Sequence, residues 1–581
     1  MINNRLKWQS LLPDVSHYKA IFDDAAQMQP VSFITMQPRL KNALAIFCHP
    51  RSSLQFMLLQ TQEIQEYLAL LSNVVQQLYP QNTICKNTQY VIKDNKINLE
   101  VQSKEPLITD GSCVFQEWVE PEQLFGCVKL HNDIISLQPG LIHHANGGVL
   151  ILSAYTLLAQ PLLWLRLKQM ITQRQFYWVS LDEKRPIPVT IPPMPLELRL
   201  IIVGNHHRLA DFKNIEPELS EHAIYGECED YLQLTNIKDM IQWCGYVNNV
   251  LIKQKLPPLA TDTWPLLIRH AIRYSGDHSI LPLSLMWIRQ QLSEAALYTK
   301  EKVITAIAFQ AALSTREWRN SYLEECALRD IKLGQLLIAT EGEIIGQING
   351  LSILDYPGHP LSLGEPLRIS CVVHLGEGDF IDVERKSELG GNLHAKSIMI
   401  IQAFMISELK LDRSMPFSAS IVFEQSYGEV DGDSASLAEL CALISALAQK
   451  PINQQIAVTG SVDQFGNVQP IGGVNEKTEG FFKVCLQRGL TGKQGVIIPQ
   501  TNMRNLCLSQ DVINAVRKRQ FHIWAVNTVA EALPLLTGYT YADTQYPNLL
   551  SAIRKRILHL NPQQRYYWPR LLHWLPWFSR N

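Results

Sequence analysis

The chain contains 11 cysteines, yet none of them form a CxxC pair or any other spacing typical of a metal site. No apolar run approaches the ~18–20 residues that a membrane-spanning helix needs. The first residues, MINNRLKWQSLLPDVSHYK, also lack the apolar segment of a secretory signal. Scattered, unpaired cysteines are typical of reduced thiols and not of a disulfide framework. These absences predict a cytoplasmic protein without a transmembrane segment.

A strong charge of either sign is missing as well. The formal net charge is −2, with 18% charged and 46% hydrophobic residues over 581 positions. This balance excludes a chain-wide attraction to nucleic acid or acidic membranes and is typical of a globular protein with two or three domains. The histidine doublets at 143–144 and 206–207 have no carboxylate at ligand spacing, so the sequence predicts no metal site.

Short apolar runs alternate with helical patterns through the first 330 residues. ALAIFC (43–48), GGVLILS (147–153) and LELRLIIVGN (196–205) are interpreted as buried strands, and residues 157–173 as a helix. This order predicts a doubly wound α/β core. The pattern becomes helical between 257 and 302, which indicates a small helical lid. Strand-rich segments alternate with helices again after Leu333, which indicates a second α/β domain.

The stretch GDSASLAEL places Ser434 at the start of a predicted helix. A serine in this position is usually only a helix cap. Backbone N–H groups at a helix start can nevertheless stabilise an oxyanion, so the position also suits a nucleophile. No histidine lies between His394 and His522, so a serine–histidine pair within this stretch is excluded.

A lysine offers an alternative base for this serine. Lys477 follows Ser434 by 43 positions and lies in the first turn of the helix predicted after PIGG. The helix dipole and partial burial both lower the pKa of an amine there, and a neutral amine can accept a serine proton. The alternative interpretation, an exposed lysine in a first turn, remains open from spacing alone.

GDSAS together with TG(x)nPIGGxxEK resembles the proteolytic domain of Lon proteases, and FEQSYGEVDGDSASLAEL is similar to the B-type version of that family. The likeness covers roughly residues 325–540. The resemblance implies that Ser434 is the nucleophile, that Lys477 is the general base and that the Thr459 hydroxyl orients the lysine amine. It assigns Asp433 and Asp431 an electrostatic or gating role, with turn or cap carboxylates as the alternative. We interpret Ser436 as a helix-start residue and not as a second nucleophile.

Lon proteases couple this domain to an AAA+ ATPase module, but the first half contains no GxxxxGK[ST] string. After ALAIFC, the segment 51–53 (Arg-Ser-Ser) follows where a phosphate-binding loop is expected. In the segment similar to Walker B, Ser153 and Ala154 stand where Asp and Glu would hold Mg²⁺. Asn205 matches the sensor-1 position. The resemblance therefore implies a degenerate AAA+ module without ATP or magnesium as cofactors.

End to end, the chain is similar to Lon-like proteins of gammaproteobacteria. The predicted fold class is an AAA+-like doubly wound α/β module with a helical lid, followed by an α/β Lon proteolytic domain. The predicted boundaries are 1–255 for the AAA+-like module, 256–325 for the lid, 326–540 for the proteolytic domain and 541–581 for a basic, aromatic tail. The tail includes these basic and aromatic residues: Arg554, Lys555, Arg556, Arg565, Tyr566, Tyr567, Trp568 and Arg570.

We expect a serine endopeptidase that hydrolyses unfolded or flexible polypeptides, and the resemblance implies a homohexamer with an internal chamber. Two alternatives stay open: a non-proteolytic scaffold acting through its tail and ring, and an ATP-dependent protease with a non-standard nucleotide site. The tail composition is compatible with RNA or an anionic surface as a partner, and equally with packing of its tryptophans against protein.

Overall fold

The structure is a computed structural model that describes residues 4–78, 88–93, 96–101, 113–131, 134–180, 187, 189–300, 302–410, 415–426, 428, 431–542 and 547–560. It is a mixed α/β protein with two large sheets, which confirms the predicted fold class. We refer to residues 4–332 as the N-terminal module and to residues 333–560 as the C-terminal module.

The helices and strands of the N-terminal module are, in chain order, α1 (Lys19–Asp24), α2 (Pro38–Cys48), β1 (Phe56–Gln60), α3 (Gln65–Leu78), β2 (Thr88–Lys93), β3 (Lys96–Val101), β4 (Cys113–Gln116), α4 (Pro121–Phe125), β5 (Cys127–His131), β6 (Ile134–Gln138), α5 (Leu141–Ala145), β7 (Val149–Ser153), α6 (Ala154–Ala159), α7 (Pro161–Gln173), β8 (Gln175–Phe176), β9 (Met194–Pro195), β10 (Arg199–Gly204), α8 (His206–Ile215), α9 (Pro217–His222), β11 (Ile224–Glu227), β12 (Tyr231–Gln233), α10 (Ile237–Lys253), α11 (Trp264–Ser275), β13 (Ile280–Pro282), α12 (Leu285–Leu297), α13 (Ala306–Asn320) and α14 (Tyr322–Lys332).

A five-stranded parallel sheet with the order β11-β1-β10-β7-β4 forms the centre of this module. All five residues of β7 are buried, as are five of the six in β10. Strands covered by helices on both faces carry such continuous apolar runs. The sequence patterns predicted both of these strands at the positions where the structure has them.

The prediction of a strand at ALAIFC is wrong, because these residues end helix α2. Pro38 starts the helix, and the buried side chains Leu40, Leu44, Phe47 and Cys48 lie at helical spacing. A short apolar run does not show whether its buried positions repeat every ~3.6 residues, as in a helix, or every second residue, as in a strand. The first strand of the sheet is therefore β1. The predicted helix at 157–173 is two helices, since Pro161 begins α7 after α6 has ended.

Helices α10 to α14 form the helical part of the N-terminal module. This helical part begins at Ile237, which lies within the range predicted for the α/β core. The predicted boundary at 255 lies just after the end of α10. Residues 4–12 pack against the C-terminal module. The N–H of Leu6 donates to the carbonyl of Ile523 at 2.8 Å, and Leu11 is buried with the apolar side chains around β24 of the C-terminal module.

The elements of the C-terminal module are β14 (Glu343–Ile344), β15 (Gln347–Leu354), β16 (Leu363–Leu375), β17 (Phe380–Asp382), α15 (Val383–Lys386), α16 (Asn392–Leu409), β18 (Phe417–Glu424), α17 (Ser436–Ala448), β19 (Ile452–Asn453), β20 (Ile456–Val458), β21 (Ser461–Val462), β22 (Val468–Gln469), α18 (Val474–Arg488), β23 (Gly495–Pro499), α19 (Gln510–Arg517), β24 (His522–Val526), α20 (Val529–Thr537) and α21 (Leu549–Leu560).

A seven-stranded mixed sheet, ordered β17-β18-β16-β15-β20-β23-β24, carries this module. Helix α17 lies in its core with all 13 residues buried. Its sequence, SLAELCALISALA, combines strong helix formers with an apolar surface on every side, which is typical of a fully enclosed helix. Helix α21 packs against α17 and buries Leu549, Ile553 and Ile557.

The segment predicted as a tail thus begins with a packed helix. Arg554, Lys555 and Arg556 belong to α21, whereas the predicted contact residues from 565 to 570 lie outside the described part of the chain. None of the described helices is long and apolar enough to cross a membrane.

Strand β16 approaches helix α18 so closely that only glycine fits between them. A Cβ atom on Gly364 would lie 1.9 Å from the carbonyl oxygen of Glu476, and one on Gly480 would lie 2.1 Å from the carbonyl oxygen of Gly364. Both obstacles are backbone atoms, which cannot rotate away. This contact determines where the first two turns of α18 lie.

We expect Gly364→Ala to reduce the local stability of α18 by about 2–3 kcal/mol, because the added methyl group pushes the helix off the strand. Hydrogen exchange measured by mass spectrometry would report this loss as faster exchange of the α18 amides. Gly472→Ala is the matched control, since no atom lies within 4 Å of its Cβ position and its φ is not positive. Equal α18 exchange in the two variants would contradict the argument.

Candidate active site

Ser434 lies in the turn just before α17 and is half-buried. Its carbonyl oxygen accepts hydrogen bonds from the N–H of Gly460 at 2.9 Å and from the hydroxyl of Thr459 at 3.2 Å. These two residues follow β20 directly, at the centre of the sheet. The end of β20 therefore fixes the backbone of the serine turn.

Lys477 reaches Ser434 from the first turn of α18. This helix begins after Gly473, whose φ of 64° lies in the left-handed region that favours glycine. The Lys477 amine lies 2.7 Å from the Ser434 hydroxyl oxygen, and the lysine is 3% exposed. The structure thus brings together the two side chains that the sequence predicted as nucleophile and base.

Burial lowers the pKa of Lys477 to about 8, while the negative charge of Asp433 opposes this shift. The cause is desolvation, which penalises the ammonium more than the neutral amine. At pH 7 roughly a tenth of this lysine is therefore uncharged, far more than for a lysine in water. A neutral amine within hydrogen-bond distance of a hydroxyl can take its proton as the oxygen attacks a carbonyl carbon.

The structure assigns Thr459 a different contact from the expected one. Its hydroxyl donates to the carbonyl of Ser434, and its own N–H donates to the carbonyl of Ile497 at 3.1 Å. The expected contact with the lysine amine is not among the hydrogen bonds of the described residues. Thr459 therefore holds the backbone of Ser434 through its hydroxyl group.

Asp431 and Asp433, the two acidic residues that precede Ser434, contact different parts of the structure. One carboxylate oxygen of Asp433 accepts a hydrogen bond from the Ser461 hydroxyl at 2.8 Å. An oxygen of Asp431 accepts one from the N–H of Leu393 at 3.0 Å, in the first turn of α16. Asp431 is thus a cap of another helix, whereas Asp433 lies close enough to Lys477 to affect its pKa.

Ser436 is a helix-start residue, as the sequence predicted. Its side chain is buried, donates to the carbonyl of Asp433 at 2.7 Å and accepts from the N–H of Val462 at 3.0 Å. The N–H groups of Ser436 and Leu437 donate to the carbonyls of Asp433 and Gly460. Contrary to our expectation, these two N–H groups at the helix start are therefore engaged and not free for an oxyanion.

Sequence reasoning missed Ser461, which holds the Asp433 carboxylate, and Arg273, which holds the outer face of α18. The Arg273 guanidinium lies 2.7 Å from a carboxylate oxygen of Glu476 and 2.9 Å from one of Glu479, and it also donates to the carbonyl of Cys507. Arg273 belongs to α11 of the N-terminal module. Only Ser461 had a sequence signal, since it follows directly on the TG turn.

The carboxyl ends of the parallel strands in the N-terminal module are where an α/β sheet would bind a nucleotide. The loop after β1 has the sequence TQEI (61–64), without a glycine or a lysine, before α3 begins. The segment 51–53, which stands where a phosphate-binding loop is expected from the sequence, precedes β1 instead of following it, so that placement is wrong. It rested on the mistaken strand at 43–48.

A buried carboxylate lies at this edge of the sheet. Glu63 accepts hydrogen bonds from the Ser153 hydroxyl and from the N–H of Tyr155 at 3.0 Å, and it forms an ion pair with Arg208 at 2.7 Å. Asn205 accepts from the N–H of Arg208 and caps α8. The loop therefore carries a carboxylate, paired with Arg208, where a phosphate-binding loop has glycine N–H groups and a lysine.

Comparisons with known proteins agree with both modules. A family profile described as "LonB-like, AAA domain" matches residues 112–223, and one described as "Lon protease (S16) C-terminal proteolytic domain" matches residues 343–537. A protein of Escherichia coli strain K12 that carries the name of a Lon protease homolog is 49% identical, over the whole length of both chains.

Two further relatives extend the comparison. A protein of Haemophilus influenzae with the same name is 40% identical over 93% of this chain and 90% of its own length. The archaeal Lon protease of Pyrococcus abyssi is 26% identical over 69% of this chain and 38% of its own length.

We expect the rate at which a fluorophosphonate labels Ser434 to rise about tenfold per pH unit below the Lys477 pKa of about 8 and to level off above it. Only the neutral amine accepts the serine proton, so the rate is lost as the pH falls through the pKa. Lys477→Met should abolish this rise. Lys493→Met, which removes an exposed lysine, should keep it. A labelling rate that changes neither with pH nor with the loss of Lys477 would contradict the pairing of Ser434 with Lys477.

Proposed function

The chain belongs to the Lon protease family, and from that premise we propose that it is a serine endopeptidase that uses Ser434 as nucleophile and Lys477 as general base. The observation that supports this proposal best is the 2.7 Å contact between the lysine amine and the serine hydroxyl in a site where the lysine is buried. We further propose unfolded or flexible polypeptides as substrates, a homohexamer as the assembly and the cytoplasm as the location.

The proposed reaction is an acyl transfer in two steps. The Ser434 oxygen forms a bond to the scissile carbonyl carbon while its proton passes to the Lys477 amine. The tetrahedral intermediate collapses, the bond to the leaving nitrogen breaks, and the lysine ammonium returns the proton to that nitrogen. Water then attacks the acyl carbon while the Lys477 amine takes its proton. The bond to the Ser434 oxygen breaks, the ammonium returns the proton to that oxygen, and the carboxylic acid product is released.

Neighbouring residues have supporting roles in this proposal. Asp433 stabilises the ammonium that forms on Lys477 during the reaction, because its charge favours the protonated amine. Thr459 and Gly460 hold the carbonyl of Ser434 and thereby aim its side chain. Asp431 connects the serine turn to the start of α16, so it acts on the position of the turn and not on the proton.

The first test is proteolysis of an unfolded substrate such as reduced casein. Ser434→Ala should lose activity by at least ~10³-fold, since removal of a nucleophile leaves only binding and electrostatic effects. Ser509→Ala, an exposed serine outside the site, should retain full activity. Degradation by Ser434→Ala at the wild-type rate would instead support the scaffold alternative. That alternative depends on a tail whose contact residues lie largely outside the described part of the chain.

We propose in addition that the N-terminal module does not drive proteolysis with ATP. The loop after β1 lacks the glycine and lysine of a phosphate-binding loop, and Ser153 and Ala154 replace the acidic pair that would hold Mg²⁺. The Glu63 carboxylate at the same edge of the sheet would repel the phosphates of a nucleotide. Its ion pair with Arg208 also engages a cation that could otherwise contact a phosphate.

Calorimetric titration of the full chain with ATP, with and without Mg²⁺, tests this second proposal. We expect no binding tighter than a Kd of ~1 mM, which corresponds to about −4 kcal/mol, and no change in the rate of casein degradation when ATP is added. Saturable micromolar binding, or a several-fold stimulation by ATP, would instead favour an ATP-dependent protease with a non-standard site.

A further inference from the structure

Four ionisable side chains meet in the interior of the C-terminal module. They come from four separate elements: Asp382 from the end of β17, Glu384 from α15, His394 from α16 and Glu439 from α17. Their exposures are 8%, 4%, 1% and 0%. We call this group the buried acidic cluster. The cluster includes neither Ser434 nor Lys477.

Three members of the cluster already have the separation of metal ligands. Asp382, Glu384 and His394 each offer one nitrogen or oxygen atom, and these atoms all lie within 4.8 Å of one another. Ligands held at ~2.1 Å from one ion lie ~3.4 Å apart in a tetrahedral site, so these atoms have to approach one another by up to about 1.4 Å to bind an ion.

Each of these three side chains is fixed through one atom and keeps another free. Asp382 Oδ1 accepts from the N–H of Arg385 and lies 3.2 Å from His394 Nε2, while Glu384 Oε1 accepts from the N–H of Phe423 at 2.8 Å. Asp382 Oδ2, Glu384 Oε2 and His394 Nδ1 have no hydrogen-bond partner among the described residues. A neutral histidine presents one ring nitrogen as a lone pair while the other donates to a carboxylate, which is the arrangement of metal-bound histidines.

Glu439 adds an independent observation. It is fully buried, and neither of its carboxylate oxygens has a hydrogen-bond partner among the described residues, since the nearby hydroxyl of Ser397 donates to the carbonyl of His394 at 2.8 Å instead. Its Oε1 lies 3.6 Å from His394 Nδ1, which is also without a partner. This contact is attractive when His394 Nδ1 carries a proton, and Nε2, which lies 3.2 Å from Asp382 Oδ1, is then the nitrogen that can bind a metal ion.

The three carboxylates of the cluster outnumber its one histidine, so the cluster lacks positive charge even when His394 is protonated. In the described part of the chain, the carboxylates of the cluster form ion pairs with His394 and with no lysine or arginine. A divalent cation would offset this charge and at the same time satisfy the unpartnered atoms.

We propose that the buried acidic cluster binds one divalent transition-metal ion, Zn²⁺ or Mn²⁺, through one imidazole nitrogen and carboxylate oxygens. This donor set suits these ions better than Mg²⁺, which prefers oxygen and water ligands. No sequence pattern reveals the site, because its ligands do not form a short motif. The bound ion joins α15, α16 and α17 and so stabilises the helix that follows Ser434.

The test begins with the full-length wild-type protein. Elemental analysis by mass spectrometry of the purified chain should find about one zinc or manganese per chain. After removal of the metal with a chelator, the protein is titrated with Zn²⁺ alone and with Mn²⁺ alone. At least one of the two titrations should show a single saturable site. Binding should raise the melting temperature, because the ion binds only the folded state. This measurement does not depend on proteolytic activity, so it stands apart from the proposed function.

Glu439→Gln keeps the size of the side chain and removes its charge, and we expect it to weaken binding by at least ~10–100-fold. Asp382→Asn is a second test if the first variant does not fold. Glu216→Gln is the matched control, a buried carboxylate of the N-terminal module that should leave the metal content unchanged. Purified protein without metal and without saturable binding of either ion would overturn the proposal, as would equal metal content in the wild type and both cluster variants.

Discussion

The close contact between β16 and α18 is the constraint on which the candidate site depends. Gly364 and Gly480 allow the backbones of strand and helix to touch, and β16 also packs against α17. One strand therefore supports both the helix that follows Ser434 and the helix that carries Lys477. The distance of 2.7 Å between the Lys477 amine and the Ser434 hydroxyl oxygen therefore depends on the packing of both helices against the sheet, and not on these two side chains alone.

The electrostatics of the site follow from the same packing. A lysine amine buried beside few charges loses part of its proton affinity, and Asp433, exposed at its own side of the turn, restores only some of it. Glu476 is the residue next to Lys477, yet its carboxylate pairs with Arg273, and Asp433 is the carboxylate that affects the lysine pKa. Had that carboxylate faced the amine, the lysine would stay protonated and could not serve as a base.

The sequence predicted the part of this site that depends on short-range order. A glycine-containing turn in the sequence precedes each of the two helix starts at which Ser434 and Lys477 lie. The structure has helices beginning at both places. The partner of the Thr459 hydroxyl depends on how two distant turns meet, and no local pattern contains that information. The error at 43–48 has a similar origin, because a six-residue apolar run is too short to separate helical from strand periodicity. The buried acidic cluster needs four elements in their folded places before it exists at all.

Arg273 gives the two modules a shared electrostatic unit. It is the cation for two carboxylates that lie one turn apart on α18, and it reaches them from α11 of the N-terminal module. The N-terminal module is consequently not a detachable cap. A shortened chain that kept only the C-terminal module would leave like charges side by side at the start of the lysine-bearing helix, so cutting the protein at its most obvious boundary would disturb the very site that the cut was meant to isolate.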